Sequence, residues 1–192
     1  MIFIDIIVYF LVLKEVIRMR IVANKNKKSK KKFSWQIILQ NGRVIPVPSQ
    51  HNFKNNFIQH HGCSLVGFYM ALRFRGAKKN MQQVLQYARK KLKCEAKYPL
   101  TQVTKGINQI CSGKPATYHK SLTNAQLEEK LKKGYMVLFE EGNPIHTVVL
   151  LKDSRTGKIY RFSDGEKSTI TVAEENTKRC TNEKYRGIVV VK

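Results

Sequence analysis

The hydrophobic period of this chain changes at Gly134, and that change restricts the possible folds more than any other feature of the sequence. Upstream, apolar residues recur at helical spacing; downstream, they fall in short runs separated by turn residues. From Cys63 onward, Leu65, Val66, Phe68, Tyr69, Met70, Ala71, Leu72 and Phe74 place apolar side chains around nearly the whole circumference of a helix. Such a helix is buried on all sides, and Gly76 is placed to end it. Asn80 caps a second helix carrying Met81, Val84, Leu85, Ala88 and Leu92, and Thr101 begins a third with Val103, Ile107 and Ile110. Thr123 and Gln126 form a capping-box pattern ahead of Leu127 and Leu131, and Gly134 stops this fourth helix. Residues 135–140, 145–152, 158–163, 168–172 and 187–191 then read as strands. Helices first and strands second predict an α+β domain, a helical half followed by an antiparallel β-sheet half. Ahead of both, the runs 34–39 and 43–47 flank Gln40-Asn41-Gly42, a strong hairpin signal, and Pro46 and Pro48 lead into a polar loop over 49–56.

The 192 residues are enough for one domain, placed at 33–192, with an extension over 1–32. Lys and Arg number 36 against 13 Asp and Glu, a net charge of +23, of which +7 belongs to the extension and +16 to the body. Such an excess attracts polyanions, an anionic membrane or a cell-surface polymer. Nucleic acid is disfavoured, because no aromatic–basic pattern of a single-strand binder occurs. Residues 1–13 (MIFIDIIVYFLVL) are almost wholly apolar but fall short of the roughly 20 needed to span a bilayer. They also lack the positive start and small-residue cleavage site of a secretory signal. An apolar segment followed by the basic run 24–32 favours attachment to an anionic membrane and a membrane-associated or extracytoplasmic location. A helix packed on the domain is the alternative. Cys63, Cys94, Cys111 and Cys180 show no Cys-x-x-Cys or Cys/His zinc spacing, so neither a metal nor another cofactor is expected.

Cys63 follows Gly62 where a helix begins, and the free N–H groups there favour a thiolate. Gly62 would leave room for a substrate backbone to approach. A lone Cys at a helix start is still more often an inert core residue. His146 gives it a partner. If Lys152 pairs with Lys158 across the turn 153–157, paired residue numbers sum to 310 and His146 lies opposite Asp164. Opposed residues share a face with Cβ atoms about 5 Å apart, so the carboxylate could orient the imidazole and stabilise its cation.

Gly62-Cys63-Ser64 leading into Met70-Ala71-Leu72 and Gly76, then Pro144-Ile145-His146-Thr147-Val148-Val149, then Ile159-Tyr160-Arg161-Phe162-Ser163-Asp164, resembles the C39-like family of papain-fold cysteine peptidases. The resemblance covers roughly residues 43–192 with its three motifs in family order. It implies a papain-like fold, Cys63 as nucleophile, His146 as general base and acid, and Asp164 as orienting residue. Members of the family often place a Gln upstream of the Cys as oxyanion-hole donor. Gln59 is the nearest candidate, closer to Cys63 than the usual spacing, and Gln50 in Val47-Pro48-Ser49-Gln50 also resembles that segment. His60 and His61 read as exposed loop residues. The expected activity is thiol-dependent hydrolysis of a peptide bond in a peptide or protein substrate. A catalytically silent, membrane-tethered papain-fold module that binds peptide or a polyanionic surface polymer stands as the alternative.

Overall fold

Two of the expected helix starts form complete capping boxes. Asn80 accepts from the Gln83 N–H and Thr123 from the Gln126 N–H, and each Gln side chain returns the bond to the cap backbone. In the computed structural model the described residues are 21–23, 35–38, 44–94, 99–141, 145–152, 158–163, 166–170 and 187–191. The expectations for residues 1–13 and 24–32, the hairpin tip at 40–42, Asp164 and Cys180 lie outside them.

The helices are α1 (Asn56–His61), α2 (Cys63–Phe74), α3 (Met81–Lys91), α4 (Leu100–Ile110) and α5 (Asn124–Lys132). The third expected helix thus starts one residue early, with Pro99 as its N-cap, a place where a missing N–H costs nothing. The stretch expected to be a polar loop, 49–56, holds a 3-10 turn over Gln50–Asn52 and the first residue of α1. Asn55 Oδ1 accepts the Ile58 N–H there at 3.3 Å, a side-chain cap that makes a helix of a polar run.

Nine strands make two antiparallel sheets among the described residues. β1 (Ile21–Ala23), β2 (Trp35–Ile38) and β3 (Val44–Val47) form the smaller, so part of the stretch taken for the extension joins the expected hairpin. The larger contains β4 (Thr117–His119), β5 (Met136–Glu141), β6 (His146–Lys152), β7 (Ile159–Ser163), β8 (Glu166–Ile170) and β9 (Ile188–Val191) in the order β4-β9-β5-β6-β7-β8. The chain is therefore α+β, as expected, with a six-stranded sheet. Strand β8 begins two residues earlier than predicted, and the edge strand β4 was not foreseen.

Both faces of the larger sheet are covered, which is why every residue of β5 is buried. Met136, Leu138, Val149, Leu151 and Phe162 pack with α2, α3 and α4 in one core, while Val137, Phe139, Val148 and Leu150 pack with Leu127 and Leu131 of α5 in another. Helix α2 is the centre of the first core: Leu65, Phe68, Ala71 and Leu72 are wholly inaccessible, as its all-round apolar pattern requires. Gly67 lets α2 approach the sheet closely, since a Cβ there would lie 3.0 Å from Leu138 Cδ2 and 3.4 Å from Thr147 Cγ2. That approach brings the N-terminal end of α2 to the start of β6.

The β6–β7 register differs from the expected one. Val149 pairs with Phe162 and Lys152 with Ile159, so paired numbers sum to 311 rather than 310. The turn takes one residue more than was assigned to it, and the predicted facing of His146 and Asp164 loses its basis.

Candidate functional site

Cys63 is the first residue of α2, and its N-cap, Gly62, has no side chain to offer the free N–H groups of the first turn. The positive end of the helix is therefore turned toward the thiol. Gly62 itself is buried rather than open to a substrate: a Cβ there would lie 2.3 Å from the Ile58 carbonyl oxygen. The close approach that needs a glycine is made by α1, within the chain.

The structure brings Cys63 and His146 together. Burial pushes the Cys63 thiol up, but the hydrogen bond and charge of His146, the Thr147 backbone N–H and the Ser64 hydroxyl outweigh it. The thiol ends below its ordinary value. Ser64 Oγ lies 3.9 Å from Cys63 Sγ and 2.6 Å from Thr147 Oγ1. His146 Nε2 is also 2.7 Å from Ser163 Oγ. The imidazole is thus held between a thiol and a hydroxyl.

The other two described thiols behave differently. Burial raises Cys94, and burial raises Cys111 despite the charge of Arg75. All three are free thiols, and of the three only Cys63 ends shifted toward the thiolate, because His146 outweighs burial there. Among the described residues no group of three or more His, Cys, Asp or Glu could hold a metal ion, and no helix is long and apolar enough to cross a membrane.

Beside the thiol is a small, partly open cleft of about 10 Å³ between α2, the β3 end and the β6–β7 pair. Its walls are mostly apolar, with Val47, Met70, Val149 and Phe162 among them; Cys63, Thr147, Ser163 and Gln50 supply the polar atoms. Gln50 is 7 % exposed. Its Nε2 donates to the Gln59 carbonyl at 3.2 Å, and its Oε1 is buried with no hydrogen-bond partner. The Gln59 side chain turns away, donating from Nε2 to the Phe53 carbonyl, and is not among the residues lining the cleft. Of the two glutamines, then, the structure places Gln50 at the site and makes Gln59 a brace of the loop beneath it. His60 and His61 close α1, so the expected loop is helical there.

Three polar neighbours of the site, Ser64, Thr147 and Ser163, were not singled out in the sequence. Each is adjacent in sequence to an expected site residue; the link of Ser163 to His146 is a side-chain hydrogen bond that the strand register does not itself predict. No protein-family model matches this chain, and no curated protein matches it in sequence.

Proposed function

We propose that the protein is a cysteine peptidase of the papain-like kind, in which Cys63 attacks a peptide carbonyl. The observation that carries this reading is the Cys63–His146 contact at the start of a buried helix, with the thiol shifted toward its anion and a cleft alongside. Proton transfer from Sγ to His146 gives a thiolate–imidazolium pair. Attack forms a tetrahedral intermediate, His146 returns the proton to the leaving amine, and water then releases the acyl group by the reverse steps. With His146 Nε2 engaged by Ser163, the exchange with the thiol falls to Nδ1. Gln50 is the proposed oxyanion donor, together with the Cys63 backbone N–H. Gln50 lines the cleft, and its Nε2 spends one of its two N–H bonds on the Gln59 carbonyl, which leaves the other for an oxyanion. Asp164, the residue after Ser163, enters as a stabiliser of the imidazolium through the family resemblance alone.

Charge favours a second reading. Residues 44–127 hold 13 Lys and Arg against one acidic residue, Glu95, so the helical half has almost a single sign. A non-catalytic module binding an anionic polymer would use that half and leave the thiol idle.

One experiment separates the two. The folded protein is treated with iodoacetamide near neutral pH and alkylation is followed residue by residue by peptide mapping, beside hydrolysis of a peptide library. The peptidase reading expects Cys63 to react at least tenfold faster than Cys94 and Cys111, its rate to drop toward theirs in His146→Ala, and hydrolysis to vanish in Cys63→Ala. Equal rates for the three thiols with no hydrolysis would leave the binding module as the better account.

A further inference from the structure

Glu140 is a carboxylic acid in the core, 3 % exposed, on the central strand β5. Its backbone N–H donates to the Gly187 carbonyl, and its cross-strand partner is Thr147. Opposed residues of an antiparallel pair project to the same face, so the two side chains lie on the α2 side of the sheet. Thr147 bonds Ser64, and Ser64 neighbours the thiol. The Leu100 N–H, at the start of α4, donates to the Glu140 carboxyl. The N-termini of two helices, α2 with Cys63 and α4 with Leu100, are thus directed at one pair of strands.

We propose that Glu140 is a positioning residue of the Cys63 site, whose carboxyl must hold its proton while Cys63 is a thiolate, so that the two groups exclude each other as anions. The proposal rests on the reading of Cys63 as a nucleophile. Few other groups bear on Glu140 among the described residues. They are Cys63 from α2, His146 beside Thr147 in β6, and the N–H end of α4; Lys105 on α4 is exposed, and Gly187–Val191 of β9 carry no titratable side chain. Two negative charges in so dry a place repel strongly, whereas one thiolate beside a neutral acid is balanced by the imidazolium. Burial pushes the Glu140 carboxyl up to about 8 against the Leu100 hydrogen bond, and the charge of Cys63 adds to the rise. The neutral acid is therefore the form present over the range where a thiolate–imidazolium pair is useful.

The consequence is reciprocal: whatever the thiolate does to the proton on Glu140, the Glu140 carboxylate does to the thiol. The test uses the full chain with carbon-13 in its glutamate side chains, and follows the Glu140 carboxyl signal against pH in wild type and Cys63→Ser. The proposal expects the Glu140 midpoint to fall by about one unit in Cys63→Ser, a tenfold loss of proton affinity. In parallel, the pH profile of Cys63 alkylation should move lower in Glu140→Gln by a similar amount. An unchanged Glu140 midpoint in Cys63→Ser overturns the proposal, because a purely structural acid would not respond to the thiol. That arm leaves Glu140 intact, so it stands even if Glu140→Gln fails to fold. A chain that hydrolyses no peptide could still show the shift, and an active peptidase could lack it.

Discussion

Replacing Gly62 by Ala tests the way the thiol is placed. At φ −87° and ψ 1° the backbone is open to any L residue, so no conformational strain is expected. The obstacle is steric. The new Cβ would lie 2.3 Å from Ile58 O, 2.9 Å from Ile58 Cγ2 and 3.0 Å from the Ile58 carbonyl carbon. A side chain could rotate away, but a carbonyl in helix α1 cannot. The end of α1 and the start of α2 must separate by roughly 1 Å to restore ordinary contact. Overpacking of this kind costs about 1–3 kcal/mol, and a backbone obstacle belongs at the upper end. The same movement carries Cys63 away from His146, and a shift of about 1 Å at a reacting group can cost on the order of 100-fold in rate. Urea unfolding and the rate of Cys63 alkylation are the two readouts. Gly134→Ala is the control: at φ +75° with nothing within 4 Å, it should cost about 1 kcal/mol and leave the alkylation rate alone. The reasoning fails if Gly62→Ala unfolds within about 0.5 kcal/mol of wild type and labels at the same rate.

Two further outcomes follow from the same geometry. Glu140 should make the fold less stable as pH rises, because its folded value is about 8 against an ordinary value of 4.5. Below 4.5 both states hold the proton and nothing is lost; from there to about 8 only the unfolded state releases it, so stability declines across that window by about 5 kcal/mol in all. Glu140→Gln should flatten that part of the stability–pH curve and exceed wild type above pH about 8, and parallel curves for the two proteins would refute the assignment. The two glutamines should differ in kcat rather than in stability: on the peptidase reading Gln50→Ala lowers kcat by about 100-fold or more, and loss of its bond to the Gln59 carbonyl costs about 1 kcal/mol. Gln59→Ala, which loses the bond to the Phe53 carbonyl, costs about 1 kcal/mol and spares kcat; the reverse pattern in paired kinetic and urea measurements would return the oxyanion role to Gln59.

What could be foreseen from the sequence was whatever short-range pattern decides. The capping boxes at Asn80 and Thr123 are made by residues three apart, and both formed. The buried helix from Cys63 and the strand opening at His146 follow from apolar spacing alone. Non-local choices were less visible. Strand β4 is three residues long, too short for any period, and is held in place by β9 from the far end of the chain. The β6–β7 register hangs on one residue of the turn and comes out at 311, which removes the ground for setting Asp164 opposite His146; Ser163 meets His146 through a side-chain hydrogen bond instead. Glu140 looked like an ordinary strand end. It is buried where the start of α4 meets the sheet, the Leu100 N–H donating to its carboxyl, a packing fact with no local signature.

The polar groups around Cys63 are themselves an argument about its role. A thiol that serves only to fill space needs none of them. Cys94 is such a case, buried with its Sγ donating only to the Leu92 carbonyl in its own turn at 3.4 Å. Around Cys63 the chain instead buries or half-buries Ser64, Thr147, Ser163, His146, Gln50 and Glu140, beside a largely aliphatic and aromatic core. Each polar group taken from water must recover its hydrogen bonds, and apolar residues of the same shape would be neutral or stabilising in its place. Gln50 does not fully recover them, since its Oε1 is left without a partner, and Glu140 keeps its acid form up to about 8 through burial. A cost borne at several adjacent positions, all within reach of one cysteine whose thiol is shifted opposite to the other two, has no account in stability. The chemistry proposed for Cys63 would supply one.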